Sequence, residues 1–159
     1  MATIRISMKD YAAYQKALGG RARAAVERGV YSGVLRCLPL LHARTRKLAH
    51  NIGYYLRAWK AERIPKGARV HNVAPYAGVI EWGRRKGARR PPIEPLVRWA
   101  QRKLGLSEKE ARGVAFAIAT AIKKRGLPAK HVLTGAAAEM RKLVGLEVER
   151  ELKKEMGRL

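Results

Sequence analysis

The chain predicts an α+β fold in a single domain, with a small antiparallel sheet, one long N-terminal helix and several helices toward the C-terminus. Apolar residues recur every three or four positions over long stretches on both sides of a central segment, which is the period of half-buried helices. The central segment is rich in aromatic and β-branched residues, and a short run near the start alternates apolar with polar, which are the marks of strands. A length of 159 residues with 47% hydrophobic content is enough to bury a core and offset the ordering entropy of a folded chain.

The elements follow in order. Thr3-Ile4-Arg5-Ile6-Ser7 alternates as a strand does, and Met8 to Leu18 reads as a short helix that Gly19-Gly20 breaks. Ala22, Val26, Val30, Val34, Leu38, Leu41, Thr45 and Leu48 then line one side of a long helix. Pro39 falls inside it and is expected to kink it or split it near Leu38, because proline lacks the N–H and its ring crowds the preceding turn. Residues 54–64 and 68–82, separated by Pro65-Lys66-Gly67, read as a β-hairpin or meander. Trp59, Trp82, Trp99 and the pair Tyr54-Tyr55 lie in or just after this region, where packing in a core or on a sheet face is expected ahead of base stacking.

Ile93 to Leu104 forms a helix ended by Gly105, and Ser107 caps the next, with Glu108 and Glu110 in its first turn near the positive helix end. The small-residue stretch from Ala111 to Lys124 should lie close against another helix, and Gly126 closes it after Lys123-Lys124-Arg125. Leu133, Ala137, Met140, Val144, Val148, Leu152 and Met156 share one face of a closing helix that should pack on protein and leave its Glu/Lys face in solvent. The chain thus divides into an N-terminal strand and helices (1–50), a hairpin or meander (51–83), a loop (84–92) and a helical part (93–159). No apolar run approaches the length of a membrane span, and the start lacks a basic stretch followed by an apolar one, so neither a span nor a secretion signal is expected. Cys37, alone of its kind and set among apolar residues, reads as a buried structural thiol.

The formal net charge is +23, from 35 Lys plus Arg against 12 Asp plus Glu, which points to a polyanionic partner, either nucleic acid or an anionic membrane surface. The excess is uneven. Residues 131–159 hold six bases and five acids, whereas the other 130 residues hold 29 bases and seven acids. The densest cluster runs from Arg84 through Arg85 and Lys86 to Arg89 and Arg90, interrupted by Gly87 and closed by Pro91-Pro92, and so forms an exposed loop. It suits phosphates, and equally an acidic patch on a protein partner. No helix-turn-helix, finger or basic-zipper pattern accompanies it, so base-specific reading is not expected.

The acids remove other functions. Asp10 is the only aspartate, and Glu62, Glu81 and Glu94 are isolated, so the convergent carboxylates of a two-metal nuclease are missing. His42 and His50 stand eight apart, His71 and His131 stand alone, and there is no HExxH, Cys/His zinc pattern, GxGxxG, Walker loop or GxSxG elbow. Neither a catalytic residue, a metal nor a cofactor is expected.

Four stretches, in order, resemble a known family. They are Asn51-Ile52-Gly53-Tyr54-Tyr55-Leu56-Arg57 at the end of the long helix, the segment from Pro75-Tyr76-Ala77 to Glu81-Trp82-Gly83-Arg84, Pro91-Pro92 followed by Leu96-Val97-Arg98-Trp99, and Pro128-Ala129-Lys130-His131-Val132-Leu133 before the closing helix. Together they resemble the Thr-Gly-x-Leu, Tyr-Ala-x-x-x-Glu-x-Gly and Ala-x-Pro-Phe-Leu motifs of the neck and tail-completion (head-to-tail joining) proteins of long-tailed bacteriophages, the "gene product ten" family of lambda-like phages. The chain departs from those motifs at Ile52, in place of Thr, and at His131-Val132, in place of Pro-Phe.

The resemblance spans roughly residues 21 to 155 and implies a structural virion protein without catalysis. It implies a homo-oligomeric ring, a hexamer ahead of a dodecamer, made in the host cytoplasm and placed in the virion between head-connector and tail proteins, with genomic DNA in its channel. The signature residues it singles out are Tyr76, Glu81, Trp82, Gly83, Pro91, Pro92, Ala129 and Leu133. Within that signature, Gly83 suits a turn too tight for a side chain. Two readings of Glu81 stay open, a partner for a base and a solvent-facing strand carboxylate. The other class that the composition supports is a non-catalytic, sequence-independent nucleic-acid-binding protein.

Overall fold

The computed structural model describes residues 3–7, 19–48 and 53–157. Its elements are β1 (Thr3–Ser7), α1 (Gly19–Leu48), α2 (Gly53–Arg57), β2 (Trp59–Ile64), β3 (Gly67–Asn72), α3 (Ala77–Trp82), α4 (Glu94–Leu104), α5 (Glu108–Arg125), a 3-10 turn (Thr134–Ala136) and α6 (Ala137–Met156). The class is α+β, as expected. The short helix expected from Met8 to Leu18 lies outside the described residues. No helix among the described residues is long and apolar enough to cross a membrane. The chain forms two compact units, one from Met1–Glu81 with Lys130–Leu159 and one from Trp82–Ala129. The helical part 93–159 is therefore shared between them.

In the first unit β3 lies between β1 and β2 in an antiparallel sheet. The β2–β3 hairpin closes tightly, with Ile64 opposite Gly67. Lys66 takes a left-handed φ of 61° after Pro65, whose ring holds the preceding φ. Helix α1 packs along α6 and against β2 and β3. The shared core joins Val26, Val30, Val34, Cys37 and Leu41 to Tyr55, Trp59, Val70, Met140, Val144 and Val148. The apolar stripes of both helices are where their periodicity places them, except that Met156 remains exposed.

Two glycines let α1 and α6 approach. A Cβ on Gly29 would lie 2.5 Å from Val148 Cα, and one on Gly33 would lie 2.6 Å from Val144 Cα. This is a glycine pair at helical spacing whose absent side chains admit the facing backbone. The helix runs unbroken through Pro39 to Leu48, rather than splitting near Leu38. Proline removes one hydrogen bond at an exposed position, while Cys37, Leu41 and Thr45 on either side stay buried and hold the helix in register.

The hairpin is shorter than its composition suggested. Residues 53–57 and 77–82 are helical, not extended. Strand preference in aromatic residues reflects a half-buried pleated surface, and here tertiary contacts supply burial in helical form. Tyr55 is fully buried, with its ring edge-on to Trp59 at 5.5 Å and stacked on Tyr76 at 6.4 Å. Asn72 ends β3 by donating to Tyr55 O (2.8 Å) and accepting from Ala74 N (3.0 Å), which turns the chain before α3. Trp59 is the one tryptophan in the core, donating to Thr45 Oγ1 at 3.0 Å, whereas Trp82 (61% exposed) and Trp99 (39%) are not core residues.

Cys37 is buried as expected, and burial, with the Glu139 charge adding, pushes its thiol up to about 11. The closing helix does not leave its acidic face simply solvated. Glu147 pairs with Arg36 (2.8 Å), Glu151 with Arg28 (3.4 Å) and Glu155 with Arg21 and Arg28 (3.0 Å each), all from α1.

The second unit is an α4–α5 pair around Val97, Ala100, Ala111 and Ala115. Gly105 ends α4 in the left-handed conformation, at φ 66°. Ser107 and Glu110 form a reciprocal capping box at the start of α5. Hydrogen bonds from Ser107 hold the Glu110 carboxyl below its usual range.

Candidate functional site

The segment from Pro75 to Arg84 begins as a turn. Ala77 N donates to Ala74 O and Val79 N to Tyr76 O, and the chain continues into α3. Helical spacing then turns Ala77 and Glu81 into the interior, both with no exposed surface. Glu81 accepts from Leu133 N (2.9 Å), Thr134 N (2.8 Å) and Thr134 Oγ1 (2.6 Å). These N–H groups open the 3-10 turn that leads into α6 and have no partner within it, so a carboxylate from 52 residues upstream caps them. Glu81 lies buried on a helix rather than on a solvent-facing strand, and its partners among the described residues are two backbone N–H groups and a hydroxyl rather than a base.

Around this cap the same segment is fastened twice more. Ile80 O accepts from Lys130 N (2.8 Å) and Glu81 O from His131 N (3.2 Å). Arg44 of α1 donates to Val132 O (3.1 Å) and His131 O. His131 takes a left-handed φ of 47°, a value proline cannot adopt, and its N–H is in use. Leu133 and Val132 are buried in the core beside the cap. The Tyr55 phenol is also buried, with no hydrogen-bond partner among the described residues. Burial raises its pKa, with the Glu81 charge and Tyr76 adding to the shift.

Within the second unit Gly83 has φ +71°, and a Cβ there would lie 2.5 Å from Leu127 O and 2.7 Å from Ala129 N. The expected tight turn is there, and Ala129 belongs to its wall. Arg84 and Leu127 then exchange backbone hydrogen bonds of 2.8 and 2.9 Å. Gly126, at φ +74°, fits under them, since its Cβ would collide with Arg84 O.

The five bases of the loop do not form one surface. Arg84 turns inward to donate to the Arg89 carbonyl. Arg90 lies over the Phe116 ring, 4.3 Å from its centre. Arg85, Lys86 and Arg89 are exposed. Pro92 is exposed beyond the half-buried Pro91, and Pro95 begins α4 in the first turn, where its missing N–H costs nothing.

No group of three or more His, Cys, Asp or Glu side chains that could hold a metal ion occurs among the described residues. Glu62 is engaged by Arg69 (2.9 Å) and by His71 (3.2 Å), and the Arg69 hydrogen bond holds its carboxyl below the usual range. No family model, curated protein or solved structure matches the chain.

Proposed function

We propose that the chain is a structural, non-catalytic head-to-tail joining protein of a long-tailed bacteriophage. In the virion it forms a ring, hexameric rather than dodecameric, between head-connector and tail proteins and around the genomic DNA. The observation that carries this reading is what the signature residues do. Glu81 and Leu133 meet in a buried helix cap, and Gly83 and Ala129 meet in a turn that excludes a side chain. Residues far apart in sequence thus serve architecture, which agrees with a family pattern conferring shape rather than chemistry. A closed ring needs two different surfaces on each subunit, and a basic loop together with an ion-paired helix face offers two.

Native mass spectrometry and electron microscopy of the purified protein, alone and with its connector partner, test the proposal. Rings of six subunits are expected. A monomer that never joins itself or the connector overturns it. The second reading, a sequence-independent nucleic-acid-binding protein, is favoured by one observation. Trp82–Ala129 holds thirteen bases and three acids, with Arg112–Glu108 its one ion pair among the described residues. Salt-sensitive binding to free duplex by a chain that forms no ring distinguishes that reading.

A further inference from the structure

Inside the second unit the basic loop is joined by a second basic element that the linear sequence keeps apart from it. Gly87 donates its N–H to Lys123 O at 2.8 Å, tying the loop to the C-terminal end of α5. Its φ of 79° is a conformation that side-chain-bearing residues rarely adopt. The result is an open cleft of about 650 Å³ lined by Lys86, Gly87, Arg90, Thr120, Lys123 and Lys124. Four of these six are cations, none is an acid, and none of the four is in an ion pair among the described residues.

Bases at a helix C-terminus are ordinarily explained by the helix's own carbonyls. Here the Ile122 carbonyl is already satisfied by Gly126 N and the Lys123 carbonyl by Gly87 N. The Thr120 hydroxyl has no hydrogen-bond partner among the described residues. Like charges converging on one hollow repel until an anion enters, so the cleft is built for a polyanion.

We infer that this cleft binds the phosphodiester backbone of duplex DNA without reading its sequence, with Lys86 and Arg90 from the loop and Lys123 and Lys124 from α5 neutralising phosphates. The backbone is favoured over an unstacked base because no aromatic ring lines the cleft. Arg90 occupies one face of the nearby Phe116 ring, which is not part of the lining. The cleft deepens the DNA contact of the proposed function, yet charge and shape carry it whether or not a ring forms.

The test is fluorescence anisotropy of the full chain with a short labelled duplex of random sequence, across a salt series. The Lys123→Ala/Lys124→Ala variant changes two exposed side chains that lie outside every ion pair among the described residues, and circular dichroism confirms its fold. Removing two phosphate contacts should lower the slope of log affinity against log salt by about 2 and weaken binding roughly tenfold at moderate salt. Arg141→Ala/Lys142→Ala, which removes two exposed bases from α6, should leave both readings almost unchanged. The cleft is overturned if the first variant binds as the parent does, if the control loses as much, or if oligo(dT) binds more tightly than duplex. Native mass spectrometry of the same samples reads the ring separately. Rings with unchanged DNA affinity in the first variant overturn the cleft alone, and cleft-dependent binding without rings overturns the ring alone.

Discussion

Both compact units are basic, but they use charge differently. In the first, Glu27, Glu62, Glu147, Glu149, Glu151 and Glu155 each pair with a base, and Glu81 is buried as a helix cap. In the second, thirteen bases face three acids across one ion pair among the described residues. Their interiors differ in the same direction. The first buries Tyr55, Trp59, Leu41 and Met140, while the core cluster of the second is Val97 and three alanines. A small helical pair removes little apolar area from water. The first unit spends its polar groups on stability. The second leaves most of its charge outside ion pairs among the described residues.

The largest expected effect breaks the first unit alone. Gly29→Ala/Gly33→Ala drives two methyl groups into the α6 backbone and should cost about 3 kcal/mol or more in urea denaturation. This would occur even though alanine is the better helix former. Wild-type stability in the double variant would contradict the close α1–α6 approach. Next comes Glu81→Ala, which strands a buried N–H donor at Leu133 and a part-buried one at Thr134 and should cost about 2–3 kcal/mol. Glu81→Gln, which keeps an acceptor oxygen, should lose less, and an equal loss would show that packing rather than the cap matters there.

Ser107→Ala probes the second unit. It should cost about 1 kcal/mol, seen in hydrogen exchange as faster opening of α5 with the amides of α1 unchanged. Uniform acceleration in both units would mean that they open together. The smallest effect is Glu155→Gln, worth about 0.5–1 kcal/mol and shrinking as salt rises.

Acid sharpens the contrast. Hydrogen bonds from Arg69, Lys153 and Lys154 lower the pKa values of Glu62, Glu149 and Glu151 in the first unit, whereas Ser107 does so for Glu110 alone in the second. A depressed folded pKa stabilises fully above the ordinary value of 4.5 and is lost as pH falls through the lowered one. Hydrogen exchange below pH 4.5 should therefore show the first unit weakening more than the second.

The α1 stripe, the Ser107 cap of α5 and the Gly105 and Gly126 stops were legible because each closes within a few residues. Tyr54-Tyr55 and Val79-Ile80 were misleading for the converse reason, since their aromatic and β-branched character suits a strand unless neighbours bury them as helix. The close approach at Gly29 and Gly33 was not read from the sequence, although their spacing of four, which puts both on one helix face, could have shown it. Among the site residues, the loop bases could be located from composition, and Gly83 from the resemblance together with turn chemistry. The inward turn of Arg84 and the burial of Glu81 could not.

What the chain alone determined is its class, the Ser107 cap, the glycine stops of α4 and α5 and the place of its densest charge, because periodicity, caps and composition act over one or two turns. Only the tertiary structure decided which polar groups leave water and which cations come together. Glu81 finds its donors 52 and 53 residues away, and Lys86 shares a cleft with Lys123 only because Gly87 hydrogen-bonds to the end of α5. Such pairings depend on where two distant segments are carried by the packing of everything between them, and no local period encodes that.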